Sequence, residues 1–366
     1  MSEVAALTHD LVAIPSHEDE SAAGDHVESW LRAETDATVE RDTHGNVIAR
    51  RGGGETQLAL VGHHDVVPPD ASQRAEGGGY VVTERDGRLY GRGVADMKGA
   101  VAAAMCAFRD ADLPPDPGYE LVFVSFVGEE VGGEGARGAI DDGFVPDYAV
   151  VGEGSTGYSA PEVTDVAIAH KGRRGSTIFA EGAAAHASEP DAGENAIYRA
   201  ADAVDAVREL EFPATTVLGH DVAGSVAVTE IEGGSAWNVI PEGCTVTVDE
   251  RTVPDERANL ERVADLPGVT WRVDQDLPPM ACDDPAFADF LLDIASGTQD
   301  GQPEQFVKPH ATDAGWLAGA GTTCLVCGAS EPGEAHTADE SVSIAVLERC
   351  VNIYRETAER FGRREW

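Results

Sequence analysis

Lysine is almost absent from the chain: Lys98, Lys171 and Lys308 are the only three in 366 residues, and arginine carries the rest of the positive charge. Basic residues of both kinds are scarce, 26 against 66 Asp and Glu, which leaves a formal charge of −40. A field of that sign repels phosphate backbones and anionic lipid, which excludes nucleic-acid binding and membrane-surface docking as primary roles. The acids are spread along the chain without a long run, so they form no interaction tail.

Cysteine is also sparse. Six in so long a chain make no disulfide framework, and the Cys324/Cys327 pair has no second pair to complete a zinc knuckle. The segment TCLVCG around that pair reads as a short buried strand, with both thiols as core residues. No apolar run reaches membrane-spanning length, and the N-terminal MSEV has neither a basic start nor an apolar stretch, so a cytoplasmic location is expected. What remains, 42% hydrophobic and 25% charged, is the composition of a folded globular protein, and the length suits about two domains.

Helical periodicity opens the chain at Val4, Leu7, Leu11 and Val12, and recurs at Val27, Trp30 and Leu31. Apolar strands are expected at 57–61, 120–127 and 148–151, with an Ala-rich helix at 99–109 between the first two. Strands alternating with helices predict an α/β fold, a central mostly parallel sheet between helices. From about residue 172 the texture changes to two-sided strands at 176–181, 225–231 and 245–250 around a helix at 195–210. This reads as an inserted α+β domain at 172–279, leaving 1–171 and 280–366 as the main domain. The α/β texture then returns with a helix at 286–295, a strand at 323–327 and a C-terminal helix at 341–361.

Metal-binding residue types stand where the apolar strands stop, the usual ligand crevice of an open α/β sheet. Strand 57–61 breaks into Gly62-His63-His64-Asp65. Residues two apart on an extended chain share a face, so Asp65 can hold the imidazole of His63 in one tautomer, while His64 points away. Asp96, in GRGVADMKG, opens a helix and can bridge two cations; the Gly-x-Gly before it is not a dinucleotide fingerprint, because no strand precedes it. Glu129 and Glu130 follow the most hydrophobic strand and point different ways, so one can bind metal while the other acts as base. Glu153 ends the next strand, and His336 precedes the last helix. Each alone reads as a surface residue. Together His63, Asp96, Glu130, Glu153 and His336 offer two nitrogens and several carboxylate oxygens, a donor set suited to two zinc ions, with Glu129 left as general base for the attacking water.

These motifs, in this order, resemble the dinuclear zinc hydrolases that include succinyl-diaminopimelate desuccinylase, acetylornithine deacetylase, aminoacylase and related carboxypeptidases. The resemblance runs through GHHDVVP, GRG to DMKG, Glu129-Glu130, Gly152-Glu153 and His336. It implies that His63 and Glu153 bind one Zn²⁺, that Glu130 and His336 bind the other (with Co²⁺ a possible substitute), and that Asp96 bridges them. It implies further that Asp65 orients His63 and that Glu129 carries the proton. The insertion then corresponds to a lid through which such enzymes dimerise, with His186 reaching a neighbouring subunit's site and Asn238 and Arg251 holding the substrate.

The segment Gly172-Arg173-Arg174-Gly175 resembles the lid entry of the desuccinylases, and Arg173 or Arg174 would suit a substrate rich in carboxylates. The lean is therefore toward N-succinyl-L,L-diaminopimelate. Acetylornithine or acetyl-lysine, free or carrier-protein-linked, is the alternative, then dipeptides or peptide C-termini. A catalytically dead dimeric scaffold is the non-enzymatic rival, although a dead relative would be expected to have lost ligands or base. The segment Thr312-Asp313-Ala314-Gly315-Trp316 lacks the arginine that many relatives carry there. The lysine scarcity and acid excess resemble proteins of salt-in halophiles, in which a hydrated acidic surface preserves solubility at a Debye length of about 3 Å; an acidic mesophilic protein is the plainer alternative.

Overall fold

The computed structural model describes residues 2–115 and 117–363. The chain forms two compact units, one of Met1–Ala169, Met280–Lys308 and Thr312–Trp366, the other of His170–Pro279 and Pro309–Ala311.

In the first unit, continuous apolar runs make strands that are buried on both faces. Tyr119–Phe126, Thr56–His63, Tyr148–Val151 and Thr323–Val326 lie side by side and parallel. The sheet as a whole is mixed rather than mostly parallel. Thr38–Arg41 and Val47–Gly52 add antiparallel strands at one side, because a hairpin turn is too short for a crossover. Asp42 closes that turn, its Oδ1 accepting from the backbone N–H of His44, Gly45 and Asn46, each at 2.9 Å. Val166–His170, with Met280–Ala281 and Gln305–Lys308, completes nine strands at the other side.

Alternation sorts the side chains of the central strands between two helical layers. Ala59, Val61, Val122, Val124, Ala149 and Val151 pack with Ala136, Ala139, Ala314 and Leu317 of the helices Glu134–Asp141 and Asp313–Ala320. Gly62 turns to the helix Gly99–Asp110, where a Cβ would stand 2.8 Å from Val101 Cγ2. Ile344–Phe361 forms the C-terminal helix, but Ser341–Ser343 before it is a short strand paired with Arg88–Tyr90. Helical periodicity cannot register that strand, since only three residues are involved.

The second unit is an antiparallel sheet in the order Ser225–Gly233, Gly243–Thr252, Gly172–Glu181, Val269–Leu277. One face is buried under the helix Ala196–Arg208 and the turn Leu260–Asp265. The last strand, VTWRVDQDL, escapes a sequence reading because it lies at the sheet edge and most of its residues face water. All six cysteines are free and buried. No helix among the described residues is long and apolar enough to cross a membrane.

Candidate active site

The parallel register gathers the acids and histidines. Val61 pairs with Val124 on one neighbouring strand and Val151 on the other. The chain therefore leaves the sheet at one edge as His63, as Gly128-Glu129-Glu130 and as Glu153. The loop after Thr323–Val326 passes directly over this edge: a Cβ on Gly328 would stand 1.9 Å from the Gly152 carbonyl oxygen, so only glycine fits.

Two nests of ligand-type atoms result, and Asp96 belongs to both. His63 Nε2 lies 3.2 Å from Asp96 Oδ1 and 3.3 Å from Glu153 Oε1. His336 Nε2 lies 3.2 Å from the other oxygen, Asp96 Oδ2, and 3.0 Å from Glu130 Oε1. One carboxylate thus turns one oxygen to each imidazole. Glu129 shares the His63 and Glu153 nest, with one oxygen within 4.8 Å of their ligand atoms. Asp65 lies behind both: its backbone carbonyl meets His63 Nδ1 in a hydrogen bond of 3.1 Å with Oδ1 alongside at 3.2 Å, and its Oδ2 accepts from the Glu130 backbone N–H at 3.0 Å. The strand ends at His63, yet the Asp65 carboxylate still reaches the ring. His64 faces elsewhere, its Nδ1 2.9 Å from Ser125 Oγ, and burial pushes it down to about 3, so it stays neutral.

The electrostatics call for cations. Burial, reinforced by Asp313, Glu153 and Asp96, raises the Glu129 carboxyl well above its ordinary range, with His63 opposing. Burial likewise pushes Asp313 up to about 8, and neither of its oxygens has a hydrogen-bond partner. Hydrogen bonds to Asp96 and Glu130 hold His336 up at about 10, and burial of His63 is outweighed by Asp65, Asp96 and Glu153. Imidazoles held up in this way give up protons where divalent ions bind, and the nitrogen and carboxylate donors fit two such ions. Metal binding must then expel protons. Calorimetric titration with Zn²⁺ at pH 7, in buffers of differing ionisation enthalpy, is expected to show release of about two or more protons per subunit, from the imidazoles and from the raised Glu129 carboxyl; no buffer dependence would mean that these groups start deprotonated.

Three positions of the site escaped the sequence reading. Glu340 binds Arg92 and the backbone around Asp96. Lys308 donates to the Gly154 carbonyl at 2.6 Å and lies 3.9 Å from Glu153. Asp313 contributes to the field around Glu129. A signal existed for the second: in a chain nearly purged of lysine, Lys98 and Lys308 survive buried, at 0% and 6% exposure, where a surface rule does not apply.

In the second unit His186 and Asn238 are brought together. His186 pairs with Val239 on a two-stranded ribbon, and the Ala187 N–H donates to the Asn238 carbonyl at 2.9 Å. Arg173 and Arg251 face each other in register and share Asp249, each Nε at 2.7 Å from one of its oxygens. Arg174 is a correction. Adjacent strand residues face opposite ways, and Arg174 turns inward, 4% exposed, to Glu250 Oε2 at 2.5 Å and the Ala258 carbonyl at 3.0 Å. It holds the fold of this unit and is not available to substrate. Arg174→Met is expected to cost about 3–5 kcal/mol in chemical denaturation by stranding Glu250, with KM unchanged in the folded fraction; a raised KM at unchanged stability would return it to the substrate.

A sheet edge carrying two histidine–carboxylate nests joined by one aspartate offers donors for two divalent cations. The chain belongs to the peptidase family M20/M25/M40, whose model matches residues 59–360. It is 31% identical to an acetylornithine deacetylase of Myxococcus xanthus, over 89% of this chain and 86% of that protein. It is 28% identical to a succinyl-diaminopimelate desuccinylase of Bordetella parapertussis, over 88% of this chain and 87% of that one. In fold it is similar to the aminopeptidase PepT of Bacillus cereus, with a TM-score of 0.80 at 18% identity, covering 98% of this chain and 97% of that one. A dinuclear metal-binding M20 peptidase of Bacillus subtilis gives 0.68 at 15% identity, over 98% of this chain and 97% of the other.

Proposed function

We propose that the chain removes the acyl group of an N-acyl amino acid, with N-succinyl-L,L-diaminopimelate, cleaved to succinate and L,L-diaminopimelate, as the preferred substrate. The observation that carries the hydrolytic reading is Asp96, with one oxygen toward His63 and the other toward His336. His63 and Glu153 would hold one Zn²⁺ and Glu130 and His336 the second, with Asp96 offering an oxygen to each. When bound, the ions make the attacking water acidic and polarise the scissile carbonyl. Glu129 takes the proton from that water and delivers it to the departing amine, and Asp65 keeps Nε2 of His63 free as the ligand atom by engaging Nδ1. His186 donates to the oxyanion that develops in a neighbouring subunit's site, and Asn238 and Arg251 bind the substrate, Arg251 through a carboxylate. Arg173 stands beside Arg251 and reads the extra succinyl carboxylate.

The protein acts as a homodimer assembled through the second unit. Support comes from its edge strand Ser225–Gly233, free on its outer side among the described residues, and from the exposed Ile231 and Phe212 beside it. Sedimentation equilibrium tests this, and a monomer at working concentration would sink it.

The acetylornithine deacetylase among the relatives favours a second reading, removal of an acetyl group from ornithine or lysine, free or carrier-linked. Amine release in molar potassium chloride with added zinc or cobalt decides between N-succinyl-L,L-diaminopimelate and N-acetylornithine. Preference for the succinyl compound is expected, and preference for the acetyl compound would make Arg173 structural. Turnover of unacylated dipeptides alone would replace both readings by a peptidase.

A further inference from the structure

The two nests are held by different means. His63 and Glu153 leave central strands whose positions the sheet ladder fixes, and the backbone of Glu130 is tied to Asp65. Asp96 and His336 have no such support. Asp96 sits in a non-helical turn (φ −127°, ψ 90°) and His336 in a loop at a left-handed φ of 65°. Their separation along the chain is far too great for local structure to set their spacing.

Glu340 joins them. Its carboxylate is fully buried, with 0% of the side chain exposed, and all four of its lone-pair sites are engaged. Oε1 accepts from the backbone N–H of Ala95 at 3.0 Å and of Asp96 at 3.2 Å. Oε2 accepts from the Gly93 N–H at 3.0 Å and from Arg92 Nη1 at 2.6 Å. The Gly91 N–H donates to the Glu340 carbonyl at 3.2 Å, so main chain and side chain both grip the same turn. Gly93 permits this wrapping, at φ 78° and with no room for a Cβ, which would stand 2.2 Å from Val66. Four residues before Glu340 is His336, and the Thr337 carbonyl accepts from Gln73 Nε2 at 3.0 Å. Arg88 ties the same loop from the other end, through Glu331 at 3.1 Å and through Glu334.

We infer that Glu340 is a positioning residue: it latches the Asp96 turn to the His336 loop and so sets the affinity of the nest formed by Asp96, Glu130 and His336. The inference rests on the two-metal reading above. A carboxylate is required because only an anion satisfies three converging N–H groups and the buried guanidinium of Arg92 together. The nest of His63 and Glu153 keeps its strand-end ligands without the latch, so the two nests respond unequally.

Stepwise Co²⁺ titration of metal-free protein, read by visible absorbance, tests this in Glu340→Gln, with His336→Gln marking which step belongs to which nest. The expected result is a loss of about 10–100-fold in affinity at the His336 nest, the range seen when a group supporting a ligand is removed, with a smaller loss at the other, which shares Asp96 but keeps His63 and Glu153 on strand ends. Activity should return at saturating metal. Equal losses at both nests, or none at either, would overturn the latch. Should that variant not fold, hydrogen exchange of the metal-free wild-type chain serves: the amides of Ala95 and Asp96 should be protected by their bonds to Glu340, and exchange at open-chain rates would overturn the proposal. Failure of the wild-type chain to bind cobalt would remove the metal reading itself, and the exchange result would stand apart from it.

Discussion

Glu129→Gln is expected to lower kcat by about 10²–10⁴-fold, the contribution of a positioned general base, while metal content stays at the wild-type level. The geometry makes this substitution decisive because Glu129 lies close enough to His63 and Glu153 to serve as a third ligand. The two roles separate cleanly. A ligand lost to an amide takes metal with it; a base lost to an amide leaves the ions in place and removes only the proton carrier. Without ions the Glu129 carboxyl is raised by burial and by Asp313, Glu153 and Asp96. Two dications beside it reverse the sign of that field and return it to the ionised state a base needs. Metal analysis per subunit alongside kcat gives the answer, and metal lost in step with activity would make Glu129 a ligand.

The second large effect is at Asp96. Asp96→Asn preserves shape but leaves one acceptor oxygen in place of two, so one imidazole nest keeps an oxygen and the other meets an NH₂ donor. Equilibrium dialysis should show the affinity of at least one nest falling by more than about 100-fold, beyond the usual loss for a supporting group, with turnover falling to background. Two ions held with near wild-type affinity would show that Asp96 is not shared. Backbone packing offers little protection against this change, because Asp96 meets its partners through both carboxylate oxygens.

The site was legible where its residues follow strands. His63, Glu129, Glu130 and Glu153 could be picked out because an apolar run that stops abruptly at charged residues marks the end of a buried strand, and parallel strands end at one edge. Asp96 and His336 lie in irregular turns and were legible only by motif, since no periodicity describes them. Arg174 shows what the likeness of a short segment leaves open. The expected strand began at residue 176, but the observed one runs Gly172–Glu181, so the adjacent arginines face opposite ways and Arg174 turns to the helix-covered side. Glu340 escaped altogether, because a buried charge looks like a surface charge until its partner is known, and Lys308 was marked only by the rarity of lysine.

By itself the sequence determined the chemistry available to this protein: which donor atoms it carries, their order, the alternation that makes an α/β sheet, and a large excess of acidic over basic residues. These are local properties, set by residue type and by spacings of a few positions. Only the tertiary structure decided which donors meet, that one carboxylate turns an oxygen to each histidine, that Arg174 is a structural ion pair and that Glu340 grips the turn of Asp96. Those outcomes depend on contacts between segments up to 248 residues apart, as for Arg92 and Glu340. Their distances are fixed by sheet register and packing of the whole domain, and no window of sequence contains them.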